Sequence, residues 1–206
     1  MKFIKWKSLM ITCIVCLLPI LLGIALWDRL PDMMAIHFNI NGEPDNFASK
    51  DFVVFGLPLF MVLLQAFCCF VNDINAQKHG ECRKLEAATK WILPIVTIIL
   101  QSMTLGIGLG WDIDVRKIVV LIVGVIFLVI GNYLPKLDYI KNYNIDTESA
   151  RKINRVLGFG MVIMGILGLG SIFLPPIATL IWLFLLIPYT AIGVIYGIKV
   201  GRNRKS

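Results

Sequence analysis

Apolar and charged positions alternate along this chain on the scale of whole helices. Long charge-free runs are separated by short polar stretches. A helix rising ~1.5 Å per residue needs roughly 20 predominantly apolar residues to cross about 30 Å of hydrocarbon. Windows of that kind run from Leu9 to Trp27, Phe52 to Val71, Trp91 to Trp111, Ile118 to Leu134, Val156 to Leu174 and Ile177 to Ile198. The last two are not separated by any charge, but one helix across both would be about twice as long as the bilayer is thick. Pro175-Pro176 lies between them, removes two backbone donors and bars Leu174 from helical geometry, so a tight helical hairpin is expected there. The pattern predicts an all-α membrane protein with six transmembrane helices. No Asp, Glu, Lys, Arg or His falls inside the six windows, which argues against an ion-coupled transporter.

Composition agrees: 58% of the 206 residues are hydrophobic and 16% charged, and the mean hydropathy is +0.81. The spans leave too little sequence between them for a separate soluble domain, so residues 1–206 are expected to form one membrane domain. The apolar run after Lys2, Lys5 and Lys7 is too long for a signal peptide and lacks an A-x-A-like site, so it is expected to remain as the first span. Of the 20 Lys and Arg residues, 16 lie in the termini and the loops after helices 2 and 4; Arg29, Lys50, Arg116 and Lys117 lie on the other side. Basic residues accumulate on the cytoplasmic face, so both termini are placed inside the cell and the loop between helices 1 and 2 outside. The net charge of +7 is accounted for as a topology signal, without nucleic acid.

Cys13, Cys16, Cys68 and Cys69 sit in apolar windows and Cys82 in a cytoplasmic loop, so they read as small buried hydrophobes and no disulfide is expected. Gly106 with Gly110, and Gly193 with Gly197, have the G-x-x-x-G spacing that lets helices approach closely. Helix 5 adds Gly158, Gly160, Gly165, Gly168 and Gly170. Gln65 and Gln101 are placed to bond across helices 2 and 3.

The external loop from Asp28 to Asp51 reads DRLPDMMAIHFNINGEPDNFASKD and carries five acids against two bases. Ile36, Phe38 and Ile40 alternate with polar residues, and Asn41-Gly42 predicts a tight turn. Pro44 cannot donate to a ladder, so the return is expected to be irregular. His37, Asn39, Glu43, Asp45 and Lys50 are the candidate ligand-binding residues. A single histidine among scattered carboxylates is not a metal-ligand spacing, and no metal or cofactor is assigned. Recognition of a peptide or lipid headgroup and a merely solvated, self-folded loop both stay open. No nucleophile and base occur together on either face, so no enzyme is expected. On the cytoplasmic side, Asn132 to Gly158 offers Asp146 or Thr147 as a helix cap, and its basic residues lie where anionic lipid headgroups would be.

Leu30-Pro31-Asp32, His37-Phe38-Asn39, Gly42-Glu43-Pro44-Asp45 and Lys50 resemble the amino-terminal motif of SdpI-type immunity proteins. Gly131-Asn132-Tyr133-Leu134-Pro135-Lys136, Lys152-Ile153-Asn154-Arg155 and Gly158 resemble elements of the same family's carboxy-terminal half. The resemblance implies an amino-terminal part over residues 1–90 and an SdpI-like part over 91–206, with Asn132, Pro135, Lys136, Lys152 and Arg155 in structural or partner roles. It further implies a multi-pass protein of the bacterial plasma membrane that protects its own cell from a secreted antimicrobial peptide toxin and, in some relatives, signals to a cytoplasmic transcriptional repressor. A small transporter or flippase-like protein for a peptide or lipid is the alternative.

Overall fold

The computed structural model describes residues 4–39, 42–79, 83–136 and 147–202. Among these residues there are six helices long and apolar enough to cross a membrane. They are α1 (Trp6–Ala25), α2 (Leu57–His79), α3 (Arg83–Gly108), α4 (Val115–Tyr133), α5 (Thr147–Ser171) and α6 (Pro176–Arg202). An antiparallel hairpin of β1 (Met33–Phe38) and β2 (Pro44–Ser49) lies between α1 and α2. Ile40, Asn41, Cys82 and the stretch 137–146 of the predicted cytoplasmic segment, Asp146 included, lie outside the described residues. α6 begins at Pro176, a first-turn position where the missing N–H costs nothing, as the predicted break at Pro175-Pro176 requires.

The chain forms two compact units: Met1–Ile74 with Thr89–Arg116, and Asn75–Ala88 with Lys117–Ser206.

In the first unit the helices run past the charge-free windows. Asp73 lies in α2 and Lys90 in α3, both within candidate spans and both buried, at 2% and 4% exposure. The expectation that no ionisable residue lies in a span is therefore corrected. A carboxylate and an ammonium can be buried there because they bond to each other. Lys90 is thus not one of the free surface cations that its place in the basic-residue pattern suggests.

Gln65 and Gln101 do bridge α2 and α3, through backbone carbonyls. Pro94 has no N–H, so the Lys90 carbonyl four residues earlier lacks its helical donor; Gln65 Nε2 donates to it at 2.9 Å. At the other end, α2 is preceded by a π-helical turn over Phe52–Gly56, whose last bond takes the Leu57 N–H to the Phe52 carbonyl. Pro58 has no hydrogen to offer Val53, and Gln101 Nε2 supplies one at 2.7 Å. Each glutamine thus satisfies a carbonyl that a proline leaves without a donor.

Gly110 does not act in helix packing. It lies beyond the end of α3 with φ +86°, and the N–H of Trp111 closes back onto the Gly106 carbonyl, so it is a left-handed helix terminator.

In the second unit α5 is packed on two sides with a seven-residue period. A Cβ on Gly131 would meet the Gly158 carbonyl at 2.7 Å, and one on Gly165 would meet the Gly124 carbonyl at 2.8 Å. Paired in antiparallel order, these glycines let the α4 and α5 backbones touch. On the other side Trp182 Nε1 donates to the Met164 carbonyl at 2.8 Å, and the Tyr189 hydroxyl donates to the Leu157 carbonyl at 2.7 Å. The Trp182 ring fits against Gly168 and the Tyr189 ring against Gly160. Gly193 of the predicted pair meets Leu157, an intramolecular contact.

Candidate functional site

The hairpin is seated on the helices of the first unit through one face. Met34 at 1% exposure and Leu30 at 5% join Val53, Val54 and Leu105 in a buried apolar cluster. Gly108 at the end of α3 leaves room for the Met34 side chain, since a Cβ there would lie 2.6 Å from Met34 Cε. Burying a Met or Leu side chain contributes roughly 1.5–3 kcal/mol, so this seat holds a hairpin that would be marginal by itself.

Register is set by the pairs Met34 with Ala48, Ala35 with Phe47 and Phe38 with Pro44, with irregularities after Ala35 and after His37. The return is thus a paired strand rather than an irregular segment. Pro44 is tolerated because it is the first residue of β2. Gly42 has φ +83°, a conformation that glycine adopts without strain.

The candidate ligand residues divide between the two ends of the hairpin. At its tip the Asn39 N–H donates to the Glu43 carbonyl at 2.8 Å, and the Glu43 N–H donates to Asn39 Oδ1 at 3.0 Å. Asn39 Nδ2 donates to Glu43 Oε2 at 3.0 Å. His37 Nδ1 lies 2.5 Å from Asp45 Oδ1; an ionised carboxylate only accepts, so the imidazole donates. At the base, Lys50 sits 4.8 Å from the centre of the Trp27 ring and donates to the Trp27 and Leu30 carbonyls at 3.4 Å. It also pairs with Asp32 at 3.4 Å, while its own N–H donates to the Asp32 carbonyl at 2.9 Å. The motif residues therefore build the hairpin: two pairs close the tip, and Lys50 ties the base to the end of α1.

The remaining surface is acidic and apolar. Glu43 and Asp45 stay exposed at the tip. Met33, Ile36 and Phe47 are 56%, 38% and 49% exposed. The tip carboxylates are held in place by their partners while still reaching solvent, which pre-organises them as acceptors.

The cytoplasmic motif residues are placed in the second unit. Pro135 lies in a short turn over Leu134–Lys136 and packs against Gly158 of α5. Lys136 Nζ donates to Asn132 Oδ1 at 3.1 Å and lies 5.4 Å from the centre of the Tyr133 ring. Lys152 pairs with Glu148 one turn earlier at 2.8 Å, and Arg155 is exposed on α5. Asn132, Pro135 and Lys136 thus shape the end of α4, whereas Lys152 and Arg155 present charge to solvent.

The Asp73–Lys90 pair was missed in the sequence because the windows stop at Val71 and restart at Trp91. Its signal was positional: the two residues stand at nearly equal distances from the α2–α3 turn, so an antiparallel helix pair sets them face to face, as it does Asn72 and Thr89.

Residues 14–62 match a family described as a domain of unknown function (DUF1648), which covers most of α1, the hairpin and the start of α2. The chain is 31% identical over 125 residues to the Immunity protein SdpI of Bacillus subtilis (strain 168), covering 61% of this chain and 58% of that protein. The alignment therefore spans less than two thirds of the relative's length. No solved structure matches. Together with the six apolar helices, these matches agree with the resemblance carried by the motifs: the chain is a multi-pass protein of the bacterial plasma membrane that is similar to an SdpI-type immunity protein over part of its length.

Proposed function

We propose that this protein is a non-enzymatic immunity protein whose hairpin recognises a secreted, cationic, amphipathic peptide toxin at the outer membrane surface. The observation that carries this reading is the hairpin, where the carboxylates of Glu43 and Asp45 are fixed at the tip by Asn39 and His37, while Ile36 and Phe47 are exposed along the strands and Met33 at the base. A peptide with basic residues on one face and apolar residues on the other complements both parts of that surface. The distribution of Lys and Arg places the hairpin outside the cell, where such a peptide arrives. The relative that aligns with the chain is named an immunity protein, in keeping with this role. Signalling to a cytoplasmic repressor would fall to the basic segment at the start of α5, where Arg155 and Lys152 are exposed.

The test is the double substitution Glu43→Gln, Asp45→Asn. Both amides keep an oxygen for Asn39 and His37, so the hairpin stays closed while the charge is lost. Charge-assisted hydrogen bonds contribute about 1.5–3 kcal/mol each, so protection of a deletion strain against supernatants of toxin-producing relatives should fall on the order of tenfold or more at unchanged membrane abundance. Full protection by the double variant refutes recognition at the tip.

A further inference from the structure

We propose that Asp73 and Lys90 form a buried latch that fastens the amino end of α1 to the α2–α3 pair, independently of what the hairpin binds. The side chains of Asp73 and Lys90 are 0% and 4% exposed. Their contact alone would only join α2 to α3, a task that Asn72 and Thr89 already perform one position away. The second oxygen of Asp73 does something else: Oδ2 accepts the backbone N–H of Lys5 at 3.0 Å.

Lys5 is the capping residue of α1. Its own side chain makes no capping bond, and the first turn of α1 contains no acid. A helix start normally finds an acceptor in its own sequence, because its first N–H groups have no intrahelical partner and its dipole favours a negative charge there. Here the carboxylate comes from another helix, and Lys90 makes its burial tolerable. The Lys90 carbonyl is in turn held by Gln65, so both ends of this residue are engaged inside the unit.

One carboxylate thus binds three helices at once. α2 and α3 leave the first unit just beyond it, at Ile74 and Thr89. The apolar cluster under the hairpin holds the other end of these helices separately. The latch therefore holds the start of α1 through contacts separate from those that seat the hairpin.

The experiment is hydrogen–deuterium exchange on full-length protein in lipid nanodiscs, read on peptides covering residues 5–9 and, as a reference, the middle of α2. Asp73→Leu with Lys90→Leu removes the latch without stranding a charge, a replacement that buried ion pairs often tolerate. Exchange at 5–9 should rise on the order of tenfold or more, with the α2 reference unchanged. The exchanged pair Asp73→Lys, Lys90→Asp keeps an ion pair but presents a donor to the Lys5 N–H, and should show the same rise, so the test survives if the first variant does not fold. Asp73→Asn with Lys90→Gln retains an oxygen acceptor and should restore most of the protection. Wild-type exchange at 5–9 in either of the first two variants overturns the latch. So does a rise that extends equally to the middle of α2, which would mean general loosening.

Discussion

If Gln65 is present because Pro94 is, then the cost of removing one must depend on the other. Gln65→Leu leaves the Lys90 carbonyl buried without a donor, because Pro94 cannot supply the N–H that a helix would otherwise provide. An unsatisfied buried acceptor costs about 1–3 kcal/mol in soluble proteins, and hydrogen bonds between membrane helices average about 0.6 with a maximum near 1.7 kcal/mol. The same substitution also removes Gln65 Oε1, a buried oxygen with no partner among the described residues, and this offsets part of the loss. The single variant therefore gives a mixed number, and the double-mutant cycle separates the parts. With Pro94→Ala in the background, the backbone N–H restored by the alanine donates to the Lys90 carbonyl and the side-chain amide becomes redundant. Gln65→Leu should then cost about 1 kcal/mol less than it does beside Pro94. Unfolding of detergent-solubilised protein by increasing SDS, followed by tryptophan fluorescence, measures all four corners. An equal cost of Gln65→Leu in both backgrounds would refute the proline-rescue account and leave Gln65 as an ordinary interhelical contact.

Gly131→Leu should sharply reduce folded yield, since even a Cβ there meets the Gly158 carbonyl at 2.7 Å, whereas Gly170→Ala, with nothing within 4 Å, should cost little; size-exclusion recovery after heating compares them. Tyr189→Phe should lower stability by about 1 kcal/mol through loss of its bond to the Leu157 carbonyl, read by the same SDS titration. Lys50→Met should increase amide exchange across Met33–Phe38 while leaving α5 unchanged, because Lys50 joins the hairpin base to the Trp27 and Leu30 carbonyls. In intact cells a membrane-impermeant thiol reagent should label a cysteine placed at Asn41 but not native Cys82; the reverse pattern would invert the topology derived from the basic residues.

The proline cycle also marks where one-dimensional information ends. Gln65, Pro94, Gln101 and Pro58 are all visible in the chain, and the proline-induced loss of a donor follows from covalent structure. That Gln65 reaches the Lys90 carbonyl, and Gln101 the Val53 carbonyl, depends on the rotation and stagger of α2 against α3. These are set by packing contacts distributed over both helices.

The number of spans, the break at Pro175-Pro176 and the polarity of the loops are legible in the amino-acid order, because hydrocarbon thickness and the missing proline N–H act locally on any chain. That order also marks the hairpin: Gly42 at the turn and the residues that close it lie within a few positions of one another. What those residues do depends on how the two strands pair. Asn39, Glu43, His37 and Asp45 could equally have faced a ligand, and it is their cross-strand register that turns them into partners of one another. The span limits were likewise misjudged at Asp73 and Lys90, where a hydropathy window treats each charge alone. Two opposite charges that meet inside a helix pair cancel most of the cost that would keep either one out of the membrane, and that meeting exists only in three dimensions.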